Sequence, residues 1–242
     1  MRVAVISDIH ANLAALEAVL RAIDEDAPDE LWCLGDLVGY GPRPNECTLL
    51  VQERASVSLC GNHDLAVRGT LDLREFSGDA GAAARWTRSV LSPEALAFLN
   101  SLEPTGRCDG VALFHGSARD PVWEYVLSGE AALSTFVLTE ERVVLVGHSH
   151  VALQIRLDGD RLDGGLAGAG TELELAESRI LLNPGSVGQP RDGDPRAAYL
   201  LLDLGARTAS FRRVEYDVAR TQAEMAAAKL PEALALRLAV GQ

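Results

Sequence analysis

Five short apolar runs in the first 150 residues each stop at a polar motif. Val3-Ala4-Val5-Ile6 leads to Asp8-Ile9-His10, Leu31-Trp32-Cys33-Leu34 to Gly35-Asp36, and Val57-Ser58-Leu59-Cys60 to Gly61-Asn62-His63-Asp64. Val111-Ala112-Leu113-Phe114 leads to His115, and Val143-Val144-Leu145-Val146 to Gly147-His148-Ser149-His150. Runs of this length bounded by glycine and polar residues read as buried strands. After the first, Asn12 is positioned to cap a helix in which Leu13, Leu16, Leu20 and Ile23 keep helical spacing. Further helices are predicted over about 45–54 and 130–138, and across 77–102 with a break at Ser92-Pro93, where serine suits a cap and proline the first helical position.

From Arg142 onward the pattern changes to successive strand-like runs at 142–146, 151–157, 171–175, 179–182, 197–203 and 208–214. Strands in series after an alternating first half predict an α/β fold with a mixed sheet, or a second sheet packed on the first. The glycine-rich stretch 163–170 lacks the G-x-G-x-x-G order and reads as a hairpin turn. Residues 217–240 are alanine-rich with a helical pattern, and either pack back on the domain or serve a second subunit of a homo-oligomer. The length of 242 residues fits one domain with a sizeable core.

Charge narrows the choice of partner. The net charge is −13, so the chain offers no broad basic face for a nucleic-acid polymer, whose binding depends on neutralising phosphates. An anionic substrate must then be held locally, by metal ions or a few arginines. The only lysine is Lys229, which excludes a Walker-type phosphate loop and disfavours a lysine nucleophile. Cys33, Cys47, Cys60 and Cys108 form no C-x-x-C pair and read as reduced structural thiols. With the first strand starting at residue 2 and no apolar stretch of membrane-spanning length, the expectation is a soluble cytoplasmic protein without a membrane partner.

The candidate chemistry lies in the strand-end motifs, which contain all five histidines of the chain. Loops at the carboxyl ends of strands in an α/β sheet gather in one crevice, so motifs distant in sequence can converge. Asp8 and His10 are two apart, as are His148 and His150, and in extended backbone each pair points to one side. With Asp36, Asn62 and His115 they supply four imidazoles, two carboxylates, one amide and no thiolate. That set suits Mn, Fe, Co or Zn, and it overfills a single tetrahedral site with an open position. Two divalent ions sharing a bridging carboxylate is the economical solution, with manganese favoured. Such a pair remains cationic after Asp8, Asp36 and a bridging hydroxide are counted, and would attract phosphate inside an acidic protein. Ions about 3.5–4 Å apart can activate the water between them for in-line displacement. The alternatives for single residues are structural: Asn12 and Asp64 as helix caps, Arg191 as a solvated loop residue, Tyr40, Trp123 and Tyr125 as partial core rather than base-stacking groups. A serine hydrolase is excluded, because Gly147–Val151 lacks the final glycine of G-x-S-x-G and no histidine follows His150.

The order D-x-H, G-D, G-N-H-D, H, G-H-x-H over residues 3 to about 190 resembles the calcineurin-like metallophosphoesterase superfamily. Asn183-Pro184-Gly185-Ser186 likewise resembles the N-P-G-S motif of its small prokaryotic branch. The resemblance implies two packed sheets flanked by helices. One metal would be held by Asp8, His10, Asp36 and His150, and the second by Asp36, Asn62, His115 and His148. His63 would assist the leaving oxygen.

The protein Ser/Thr phosphatases of this superfamily carry G-D-x-x-D-R-G, whereas this chain has Gly35-Asp36-Leu37-Val38-Gly39-Tyr40-Gly41. Asp64 is then a candidate to orient His63, and Arg43 or Arg191 to replace the missing arginine, with Tyr40 beside the substrate. The expected substrate is a phosphodiester, nucleotide or dinucleoside polyphosphate. A phosphomonoesterase or protein phosphatase is the alternative, and a metal-loaded binding module without activity the alternative of another class.

Overall fold

The computed structural model describes residues 1–76, 78–175 and 177–242. The chain opens with strand β1 (Arg2–Ile6), helix α1 (Leu13–Asp26), β2 (Glu30–Cys33), α2 (Pro44–Arg54), β3 (Val57–Ser58) and α3 (Asn62–Arg68). Then come α4 (Gly78–Val90), α5 (Pro93–Asn100), β4 (Thr105–Cys108), β5 (Val111–Phe114), α6 (Gly129–Val137) and β6 (Val143–Leu145). The second half contains β7 (Leu153–Asp158), β8 (Arg161–Leu166), β9 (Glu172–Glu174), β10 (Arg179–Asn183), β11 (Ala197–Asp203) and β12 (Thr208–Val214). Helices α7 (Val218–Ala227) and α8 (Glu232–Leu236) follow.

Two six-stranded mixed sheets form, in the orders β3-β2-β1-β11-β12-β9 and β4-β5-β6-β10-β7-β8. In the first, β1 runs parallel to β2 and antiparallel to β11, with Val5 opposite Trp32 and Leu200. In the second, β6 lies between parallel neighbours β5 and β10. Side chains alternate across a strand, and the apolar runs exploit both faces. Val3 and Val5 join Leu113, Leu145, Leu182 and Leu200 in the layer between the sheets. Ala4 and Ile6 face the other way, onto Leu16 and Val19 of α1. On the outer side of the second sheet, Ala112, Val144 and Leu181 pack under Phe136 of α6. Helix, sheet, sheet and helix thus form four layers, the two-sheet sandwich expected from the motif order.

Several boundaries have local causes. Asn12 Oδ1 accepts from Ala15 N, Ser92 Oγ from Ala95 N and Ser128 Oγ from Ala131 N, each satisfying an otherwise unpaired helix-start N–H. The helix predicted over 77–102 is the pair α4 and α5, divided before Pro93; its first residue lies outside the described residues. The expected turn at 163–170 is displaced. Residues 161–166 are strand, paired from Asp158↔Arg161 to Leu153↔Leu166, so the chain reverses at Gly159-Asp160 instead. The C-terminal helices pack back on the domain. Met225, Leu230, Leu234 and Leu238 enclose Ala83, and Thr221 Oγ1 donates to Asn12 Oδ1. Among the described residues no helix is long and apolar enough to cross a membrane.

Candidate metal centre

The strand-end motifs meet at one end of the sandwich. Asp8, His10, Asp36 and His150 present ligand atoms within 4.8 Å of one another, and so do Asp36, His115 and His148; all six residues are buried. Asp36 belongs to both groups. Its Oδ2 lies 3.6 Å from His10 Nε2 and 3.5 Å from His115 Nε2, while its Oδ1 accepts from His63 N at 2.9 Å. Asn62 Oδ1 reaches His115 Nε2 at 3.3 Å.

Convergence does not come from strand alternation, contrary to the reading of the D-x-H and H-x-H pairs. Asp8, His10, Asp36, His148 and His150 all have φ between 49° and 62°, in the left-handed region. Asp, Asn and His tolerate this region better than branched residues do. Each motif is therefore a tight turn beyond its strand, and the turns are tied to one another. Asp8 N donates to Gly35 O and His10 N to Asp36 O, while Asp8 Oδ2 accepts from His148 N. The N-P-G-S residues complete the frame. Asn183 Nδ2 donates to Gly147 O and to Ser149 Oγ, and Ser186 Oγ donates to Asp8 O.

The ring nitrogens show which atoms are free for a ligand. His10 Nδ1 lies 3.0 Å from Val38 O, His115 Nδ1 2.9 Å from Leu34 O and His150 Nδ1 2.6 Å from Gln189 O. A carbonyl can only accept, so each Nδ1 carries a proton and each Nε2 is the atom turned inward, as a lone pair on neutral His10 and His150 and against the Asp36 carboxylate on His115. This carbonyl-fixed tautomer is the arrangement a metal-ligating histidine requires. His148 is reversed: its Nε2 faces Trp123 O at 3.2 Å, which leaves Nδ1 for a ligand.

Two features fit the cluster to divalent cations. His10 Nε2 and His150 Nε2 face each other at 3.0 Å, two lone pairs in repulsion unless a cation lies with them. Asp8 Oδ1 is buried with no hydrogen-bond partner, a costly state that a metal would relieve.

The protonation pattern agrees. Burial pushes His148 down to about 3 and His63 to about 4, and holds His10 and His150 well below the usual imidazole value. Burial, reinforced by Asp36, raises Asp8 to about 7. At His115 burial opposes the charge, but Asp36 and Asp8 outweigh it and raise the group to about 9. Burial opposes ionisation of Asp36 too, yet His115 and His63 hold it well below the usual carboxylate range. An Asp36–His115 ion pair thus supplies the positive charge that a cation would replace.

Above the cluster a cavity of about 230 Å³ is lined by His63, Tyr40, Arg191, Phe76, Trp123 and Tyr125 among others. His63 is buried, and its Nδ1 has no partner. That nitrogen lies against Gly39, where a Cβ would come within 2.4 Å of it, so the position of the missing second aspartate has no room for a side chain. Gly61 has a similar role: a Cβ there would lie 2.1 Å from Asp36 Oδ1. Arg191 donates to Tyr40 Oη at 3.4 Å and to Gln189 Oε1 at 2.9 Å, and its Nε is buried without a partner.

Two expected contributors lie elsewhere. Asp64 does not reach His63; its carboxylate accepts from Leu37 N, Val38 N and Gly61 N, which holds the Asp36 turn against α3. Arg43 points to the C-terminal helices, paired with Glu224 at 2.8 Å and Glu46 at 3.2 Å. Phe76 was not anticipated: a lone aromatic outside any periodic run leaves no sequence signal. The Leu34, Val38 and Gln189 carbonyls are equally silent, since any residue type can supply a carbonyl.

Comparison with known proteins converges on the same reading. The calcineurin-like phosphoesterase superfamily domain matches residues 1–207. The chain belongs to this superfamily. A crystal structure of a metallophosphoesterase from Sphaerobacter thermophilus is 44% identical, with a TM-score of 0.91 and 100% of both chains covered. An uncharacterised protein of Methanocaldococcus jannaschii is 37% identical over 99% of this chain and 98% of its own length. A symmetrical bis(5'-nucleosyl)-tetraphosphatase of Actinobacillus pleuropneumoniae is 36% identical over 70 residues, 28% of this chain and 26% of that protein. As a calcineurin-like phosphoesterase, the chain is a hydrolase of phosphate esters, and its buried Asp/His cluster suits divalent metal.

Proposed function

We propose that this protein hydrolyses a dinucleoside polyphosphate or a closely related nucleotide, in the cytoplasm, with two divalent transition-metal ions and manganese preferred. The observation that carries the substrate reading is the cavity wall. Arg191, with no carboxylate partner among the described residues and its Nε unsatisfied, faces the cluster beside the aromatic rings of Tyr40, Trp123 and Tyr125. A guanidinium fork matches phosphate oxygens, and half-exposed aromatic rings match a base. The local similarity to a dinucleoside tetraphosphatase supports the same class.

Asp8, His10, Asp36 and His150 would hold one ion and Asp36, Asn62, His115 and His148 the other. Bound there, the ions supply Lewis acidity and lower the pKa of water. The chain's own residues do the rest. Arg191 holds the phosphate oxygens, with Tyr40 bracing its guanidinium, and the phenol and guanidinium keep that anion next to His63. His63 gives a proton to the departing oxygen as its bond to phosphorus breaks; an anion bound in the cavity offsets the burial that keeps the free imidazole neutral. Gly39 gives that imidazole no carboxylate to lean on, so the site suits nucleotide leaving groups better than phosphoserine peptides.

A hydrolysis panel with manganese present tests this: diadenosine tetraphosphate, bis-p-nitrophenyl phosphate, p-nitrophenyl phosphate, a cyclic nucleotide and a phosphopeptide. Diadenosine tetraphosphate should give the highest kcat/KM. A phosphopeptide better than every other substrate by about tenfold, about 1.4 kcal/mol in transition-state binding, would overturn the reading.

A further inference from the structure

The cavity over the cluster adjoins a second one at Tyr40 and Arg191. On their far side these two side chains also line a larger groove of about 770 Å³, whose opposite wall is Ala233, Leu236, Arg237 and Val240 of the C-terminal segment. The inner cavity, at about 230 Å³, is below the usual range of about 300–1,000 Å³ for a drug-sized ligand, so a dinucleotide seated there would extend beyond it. Groove and cavity share Tyr40 and Arg191 as lining, so a ligand long enough to pass these two side chains would reach from one into the other.

The chemistry of the groove suits a nucleotide. Leu236 and Val240 are 61% and 52% exposed, an apolar floor for a flat ring. Arg237 is half-buried, and its side chain makes no hydrogen bond or ion pair among the described residues. The arginines that contact α7 differ. Arg43 and Arg220 both pair with Glu224, and Arg220 also with Glu17. In a chain of net charge −13, an arginine left without a carboxylate beside a groove is a free anion contact.

We propose that this groove is a second substrate subsite, seating the nucleoside-phosphate arm beyond the cleaved phosphorus, with the base on Leu236 and Val240 and the phosphate charge on Arg237. The opposite arm lies toward Phe76, Trp123 and Tyr125, so the substrate is two-ended and spans the cluster. This rests on the dinucleoside polyphosphate reading above.

The test compares Arg237→Ala and Val240→Asp with the parent in the metal-loaded full chain. Binding of a methylene-bridged, non-hydrolysable diadenosine tetraphosphate is measured by calorimetry, beside KM and kcat for diadenosine tetraphosphate and for bis-p-nitrophenyl phosphate. Loss of one charge-assisted contact should weaken dinucleotide binding and raise its KM about tenfold or more. The rise for the small aryl diester should be several-fold less, and kcat should change little. Leu138→Ser, on the outer helix layer, serves as the control and should shift neither KM. If the parent cleaves diadenosine tetraphosphate but both groove variants bind the analogue normally, the subsite is wrong and the substrate reading stands. Equal KM rises on both substrates would also reject the subsite, because the groove would then act only by supporting Arg191. If the parent cleaves the aryl diester but no dinucleoside polyphosphate, both inferences fall.

Discussion

Asp36 serves both halves of the cluster, because one oxygen faces His10 and His115 while the other fixes His63 N. Asn62 touches only the His115 side. Asp36→Ala should therefore lose more metal than Asn62→Ala, and elemental analysis of the parent should find about two transition-metal equivalents, since the ligand set overfills one site. A content that stays near one in excess manganese would reject the paired centre. His63 differs in kind: its Nδ1 meets no ligand and its ring stands between Tyr40 at 4.4 Å and Phe76 at 4.9 Å. His63→Asn should keep the metals and slow turnover by about 10²–10⁴ on an alkyl ester, with a much smaller loss on a nitrophenyl ester that leaves without a proton. Equal losses on both, or loss of metal, would make His63 a positioning group or a ligand.

At the level of elements, the strands and the capped helices were legible because each has a simple physical cause: a buried run, a side chain that caps, a proline that starts a helix. The centre was legible as composition and less so as geometry. Residues such as Asp8 and His150 announce themselves by type, but their placement depends on left-handed turns and borrowed carbonyls that leave no mark in residue identity. Strand β4, Thr105-Gly106-Arg107-Cys108, was missed because a half-exposed edge strand needs no apolar run. The loop after β10 is braced by charge rather than by apolar packing. There Asp192 and Arg213 form a buried ion pair, Asp192 Oδ2 also accepts from Ala152 N, and Arg213 Nη1 donates to Asp194 O and Arg196 O. This brace adjoins Arg191. Arg213→Ala leaves a buried carboxylate alone and should cost about 3–5 kcal/mol in denaturant unfolding. Arg213→Ala with Asp192→Asn should recover part of that loss.

For the whole molecule, the decisive feature is the position of β1 at the middle of its sheet. It pairs with β2 on one side and with β11, almost two hundred residues later, on the other. Every proposed metal ligand lies between residues 8 and 150, yet the turns holding them lean on Ser186, Gln189 and the β11 strand behind them. A chain cut after residue 190 keeps every ligand and should still fail to hold metal, read by elemental analysis together with circular dichroism; metal retained at the full-length level would show the first 190 residues to be self-sufficient. The same topology sets a clock. A chain emerging from the ribosome displays the complete set of metal-seeking side chains while the strand that closes their pocket is still unmade. At about 5–20 residues per second that interval lasts several seconds. A truncated chain that holds no metal would mean that ions are acquired by the finished protein, so that the metal available in the compartment after synthesis, not during it, would decide which enzyme results.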